Sequence, residues 1–263
     1  MVLKSLSEFR MFYILTFVVL AQPVHGVVSA QVVAPLITDR PDQTESATVV
    51  SRGLIQIETG YLFSRNSGLS THEVPGTLLR VGLGLRTELR IGHDGVIGSK
   101  NSYGAGDSSI GFKLNLIDSS AGWRPEFAVL ATTTLPTGDR NYSSSGFDPN
   151  ILLSFAHEIS PNFSLGYNVG TNWESSGEAI DRDALFVYSL AFGRTINERI
   201  SAFLEVFGSR QIDGLREKMT SVDGGLVFLL DDTFQVDIYI GRGIIGVADD
   251  VFLGAGVSLR LPY

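Results

Sequence analysis

The segment Thr38-Asp39-Arg40-Pro41-Asp42-Gln43-Thr44-Glu45-Ser46 sets charges of both signs around a proline that blocks regular structure. Asp39, Arg40, Asp42 and Glu45 can each meet an opposite charge elsewhere, so the chemistry on offer is ion pairing. Single charges then recur between apolar or small neighbours at Glu58, Arg80, Arg90, Lys113, Glu205, Asp237 and Arg260. Two readings fit them. They could line a wet passage and select what passes. They could equally be compensating pairs that fill a narrow interior, because buried charge is tolerated only when paired. The two readings are compatible.

Covalent and metal chemistry find little to work with. The chain has no cysteine, and beyond residue 30 its histidines are His72, His93 and His157. A hydrolytic barrel would need one of them beside a serine and an acidic or amide partner, and no such context is recognisable. His157 next to Glu158 reads as a strand-end pair. No metal-ligand spacing occurs. The Gly-Leu-Gly and Gly-Arg-Gly pieces follow strands but open no helix, so they hold no nucleotide. A net charge of −8 argues against nucleic acid as partner. The reading is a non-enzyme with no catalytic residues, cofactor or metal.

The elements that position these charges begin with an export signal. Met11 to Ala21 is apolar, follows Lys4 and Arg10, and is broken by Pro23 and Gly26. Val28-Ser29-Ala30 supplies a cleavage site, so residues 1–30 read as a signal peptide. An uncleaved anchor is the alternative. No later stretch reaches the roughly 20 apolar residues of a helical span.

The rest alternates with period two. Ile55, Ile57, Thr59, Tyr61 and Phe63 oppose Gln56, Glu58 and Gly60, and Leu79, Val81, Leu83 and Leu85 oppose Arg80, Gly82 and Gly84. Ile110, Phe112, Leu114 and Leu116 oppose Gly111, Lys113 and Asn115. About twelve such segments run to the terminus, each near the ten residues of a membrane strand. A soluble sandwich would show the same period. Charges and glycines recurring on the polar face, and an even strand number, favour an all-β transmembrane antiparallel barrel over residues 54–263 with lipid outside. Tyr61, Phe63, Trp123, Phe163, Trp173, Phe234 and Tyr263 lie near segment ends, as interface girdles would. The last segment alternates from Val251 to Tyr263 and ends on an aromatic. That ending resembles the signal by which the outer-membrane assembly machinery recognises its barrels. Residues 31–53 are expected to fold into the lumen, pairing with Arg80, Arg86 or Arg90 and narrowing the pore; a periplasmic tail is the alternative.

Thr38 to Ser46 together with Gly53-Leu54-Ile55-Gln56-Ile57-Glu58-Thr59-Gly60-Tyr61 resembles the opening of the outer-membrane barrels of the phenol-degradation meta-pathway family. Gly106-Asp107, Leu135-Pro136-Thr137-Gly138, and Asp237 with Gly241-Arg242-Gly243 fit the same pattern. The resemblance implies a Gram-negative outer-membrane channel or transporter for small molecules, hydrophobic or aromatic ones among them. Two other functions stay open: a structural or adhesion barrel, and a barrel enzyme that modifies lipid.

Overall fold

The computed structural model describes residues 35–100, 102–118, 123–175, 182–212 and 218–263. The signal-peptide reading, and the first residues of the 31–53 segment, lie outside these.

Period-two patterning yields strands throughout. They are β1 (Leu54–Asn66), β2 (Leu69–Gly82), β3 (Thr87–His93), β4 (Val96–Ser99), β5 (Ser102–Ala105), β6 (Ser108–Ile117), β7 (Glu126–Leu135), β8 (Asp148–Ser160), β9 (Phe163–Ser175), β10 (Arg182–Asn197), β11 (Ile200–Gln211), β12 (Lys218–Asp231), β13 (Phe234–Gly246) and β14 (Val251–Pro262). Every pairing is antiparallel between neighbours, and β1 bonds both β2 and β14, so twelve strands close into a barrel. Closure leaves no edge for lipid to strand unsatisfied. It also rules out the open sandwich.

The hairpin β4–β5 was not anticipated. It lies on the outer half of β2 through His72↔Gly98, Glu73↔Ile97 and Val74↔Val96, while β3 holds the inner half. Rich in Gly, Ser and Asn, Gly95 to Gly106 reads as a loop from the sequence alone. Four-residue strands rich in Gly and Ser carry too little alternation to be seen.

Burial is inverted relative to a soluble domain. Phe112, Ile151, Leu190, Leu204, Ile238 and Leu253 are exposed on the outer face. Gln56, Glu58, Arg80, Glu88, Lys113, Asn168 and Asp237 are the largest fully buried polar side chains. Glycines thin the inner wall where the interior is crowded. Gly60 and Gly256 pair across β1 and β14, and a methyl group on Gly256 would strike the Arg40 guanidinium.

Outward aromatics gather in patches. Phe127, Phe155, Tyr167 and His157 form a stack, with centroid spacings of 4.8, 4.9 and 5.8 Å. His157 therefore lies within β8 against Tyr167, which corrects its reading as a strand-end partner of Glu158. Phe163 touches Phe192 and carries the Arg194 guanidinium 5.4 Å above its ring. Trp123, at 95 % exposure, stands clear of the wall.

Candidate functional site

Inward positions of the strands converge on the N-terminal segment. Pro41 and its mixed charges keep residues 35–53 out of the sheet, and their backbone groups therefore need other partners. The barrel wall supplies them. Asp39 donates its N–H to Glu58 on β1 (3.0 Å), and Val50 donates to Glu88 on β3 (2.7 Å). Gln43 donates to Glu205 on β11 (2.7 Å), and Glu45 to Asn168 Oδ1 on β9 (2.7 Å). The Glu45 carbonyl accepts from Ser154 on β8 and Asn168, and the Ala47 carbonyl from Asn115 on β6. Thr44 meets Ser189 on β10, Thr48 meets Glu126 on β7, and Gln235 on β13 donates to Thr38. A segment bonded to the inner face of so many strands around one ring lies within that ring.

Charge concentrates on one side. Arg80 bonds Glu58 (3.0 Å), Glu88 (2.9 Å) and Asp39 (3.0 Å). Arg90 reaches Asp39, Glu88 and both oxygens of Glu45. Lys113 bonds Asp39 (2.8 Å) and lies 3.6 Å from Glu45. Burial alone would raise the Asp39 carboxyl; Arg80, Lys113 and Arg90 outweigh it and hold Asp39 well below the usual carboxylate range.

The opposite side has another character. Arg40 spans the Gly60–Gly256 gap to Asp237 at 3.2 Å. Among the described residues Glu205 accepts from neutral donors: the Gln43 N–H and the Thr44 hydroxyl, the latter at 2.5 Å. Asp223 is its cross-strand neighbour. Burial, and then the nearby Glu205, push Asp42 well above the usual carboxylate range.

Two anticipated residues stand apart. Arg86 bonds Asp118 on an exposed turn instead of joining the network. Arg260 meets the carbonyls of Pro35 and Asp232 near the barrel rim. Gln56, Asn115, Asn168 and Asp223 were not singled out beforehand, although alternation places each on the polar face of its strand.

Beyond the segment the lumen widens into an open cavity of about 920 Å³. Leu130, Thr132 and Asn150 line one side of it, and Ser189 and Phe207 the other. Phe207 lines the cavity and packs edge-on to Phe252, which neighbours Tyr239 in a buried aromatic cluster.

Two separate motifs also meet at this end. Asp107 accepts the N–H groups of Thr137 (3.0 Å), Gly138 (2.8 Å) and Ser144 (2.7 Å). Gly106-Asp107 and Leu-Pro-Thr-Gly are therefore two halves of one loop clamp.

Residues 38–261 match the family described as "Putative MetA-pathway of phenol degradation". The chain belongs to this family. Among solved structures it is similar to an outer membrane channel from Pseudomonas putida F1, with 14 % identity, a TM-score of 0.65, and coverage of 81 % of this chain and 97 % of that one. It is also similar to the KdgM porin in complex with disordered oligogalacturonate, with 10 % identity, a TM-score of 0.54, and coverage of 78 % and 98 %. A third similar structure is the NanC porin, with 13 % identity, a TM-score of 0.52, and coverage of 79 % and 100 %. At these identities the likeness is one of fold. No curated protein sequence matches significantly. A closed barrel with an apolar exterior and a charged interior is built for lipid, and this family member is an outer-membrane β-barrel.

Proposed function

We propose that the barrel is an outer-membrane channel for small molecules, with residues 31–53 forming a polar plug that narrows one end of its lumen. The observation that carries this is the contrast between the two halves. One holds a hydrogen-bonded segment touching nearly every wall strand; the other is an open cavity of about 920 Å³. Such a volume holds a compound of one or two rings.

The plug is held by polar contacts, and its buried apolar residues among those described are three, Leu36, Ala47 and Val50. Polar contacts can be exchanged for water at modest net cost, so a segment held this way can be displaced. The family description names phenol degradation, and Phe207 on the cavity wall, backed by Phe252 and Tyr239, suits neutral aromatic solutes. Liposome swelling with sugars, organic acids and aromatics, run on the full barrel and on a Gln31–Ser51 deletion, tests both parts. Faster swelling and larger conductance steps in the deletion are expected. An unchanged pore removes the plug, and no permeation by either protein removes the channel.

A further inference from the structure

The accessible lumen has an uneven charge balance. Among the described residues six carboxylates line the cavity (Glu45, Glu58, Glu73, Asp94, Asp148 and Glu174) against two guanidinium groups, Arg40 and Arg90. Both guanidinium groups are already engaged, Arg40 by Asp237 and Arg90 by Asp39, Glu45 and Glu88. Glu45 and Glu58 share the cations of the plug network. Among the described residues, Glu73, Asp94, Asp148 and Glu174 form no ion pair within 4 Å.

These four come from two stretches of wall that lie four strands apart around the twelve-strand ring. Glu73 on β2 and Asp94 after β3 form one group; Asp148 on β8 and Glu174 on β9 form the other. All four line the cavity that a solute enters. The cavity thus carries two groups of carboxylates without an ion pair, unlike the plug network, where each cation has its acid.

A second and independent feature lies deeper. Asp223 is 6 % exposed, and neither of its carboxylate oxygens has a hydrogen-bond donor among the described residues. Its cross-strand neighbour is Glu205, and Asp42 of the plug adds another acid to the same wall. A buried carboxylate without a donor costs free energy unless a proton or another positive charge reaches it. Asp223 stands on the inward face of β12, the face that a cation in the lumen can approach.

We infer that this lumen is cation-selective: it admits cationic and neutral small solutes and turns away carboxylate anions. The inference rests on the channel reading above and narrows its substrate class. It separates phenols and amines from aromatic acids, which a pore lined by arginine would instead attract. A low-dielectric passage lined by one sign of charge concentrates the opposite ion roughly 10-fold or more. Fields from its wall reach about 10 Å at 0.1 M salt, enough to span a narrow lumen.

The test is the reversal potential of the full barrel in planar bilayers, under a KCl gradient centred near 0.1 M at pH 8. A K⁺ to Cl⁻ permeability ratio of about 10 is expected from that enrichment. The combined variant Glu73→Gln, Asp94→Asn, Asp148→Asn, Glu174→Gln should bring the ratio toward unity while still migrating as a heat-modifiable barrel. Asp223→Asn alone should lower it in part. Conductance steps with a ratio at or below one in the unaltered protein overturn the inference and leave the channel standing. A ratio that the four-residue variant does not change also overturns it. If no steps are seen at all, for the full barrel or for the plug deletion, the channel reading itself has failed.

Discussion

Arg80 and Arg90 stand directly opposite each other across the β2–β3 ladder. Like charges in that position repel, and two carboxylates hold them together. Glu88 accepts from Arg80 Nε (2.9 Å) and from Arg90 Nη1 (3.0 Å). Asp39 bridges the same two arginines from the other side. One carboxylate belongs to the wall and the other to the N-terminal segment, so their removal should have different consequences. Glu88→Gln leaves the arginines facing each other inside the wall and is expected to destabilise the barrel by about 3–5 kcal/mol. Asp39→Asn should cost the barrel less and instead loosen the segment, seen as larger conductance at unchanged heat-modifiable migration. Urea unfolding in lipid vesicles measures the first. Equal destabilisation by both variants would make the segment part of the barrel's fixed core.

On the far wall the segment is held by neutral donors. Thr44 donates its hydroxyl to Glu205 and also meets Ser189. Thr44→Val keeps the shape and removes the donor. A hydrogen bond to a charged group contributes about 1.5–3 kcal/mol, so the population with a displaced segment should rise roughly 10-fold or more. Open probability in single-channel records reads this directly. An unchanged open probability would show that Gln43 N–H alone suffices.

Arg40 offers a cleaner lever. The three atoms nearest to a methyl group on Gly256 all belong to the Arg40 side chain. The nearest obstacle to Gly256→Ala is therefore the end of a flexible side chain, and the guanidinium must move. Losing its contact with Asp237 should favour the open pore by about 10-fold, as for Thr44. Gly60→Ala is the contrasting variant, because its methyl group also strikes the Ala255 carbonyl at 2.6 Å and should destabilise the wall itself.

Alternation made most of this architecture readable from the chain. Glu58, Arg80, Lys113 and Asp237 each stand between neighbours of the other face, and the barrel buries all four. The partners of each charge were not readable. Asp39 and Arg90 are 51 residues apart and Arg40 and Asp237 are 197 apart, and no local pattern encodes such a pairing. The expected third partner, Arg86, shows the limit: it has the same charge as Arg80 and Arg90, but β2 has ended and β3 has not begun, so it faces a turn. Asp223 was missed for a related reason. It is one acid among small residues in β12, and only the register with Glu205 gives it meaning.

Asp107 ties the ends of β5 and β7 together, and its titration should be visible. Burial pushes its carboxyl up, but the N–H groups of Ser144 and Gly138 and the Ser143 hydroxyl outweigh that and hold it below its ordinary value. A depressed carboxyl stabilises the folded loop above its unfolded pKa near 3.9 and loses that contribution as pH falls through the lower folded value. The loop over residues 136–147 should therefore resist protease from neutral pH down to about 4 and become cleavable by pepsin below that. Asp107→Ala strands three backbone donors and should expose the same bonds at neutral pH to a neutral protease, with the barrel core intact. Cleavage of the unaltered protein at pH 7, or protection of the variant, would mean that Asp107 does not organise this loop.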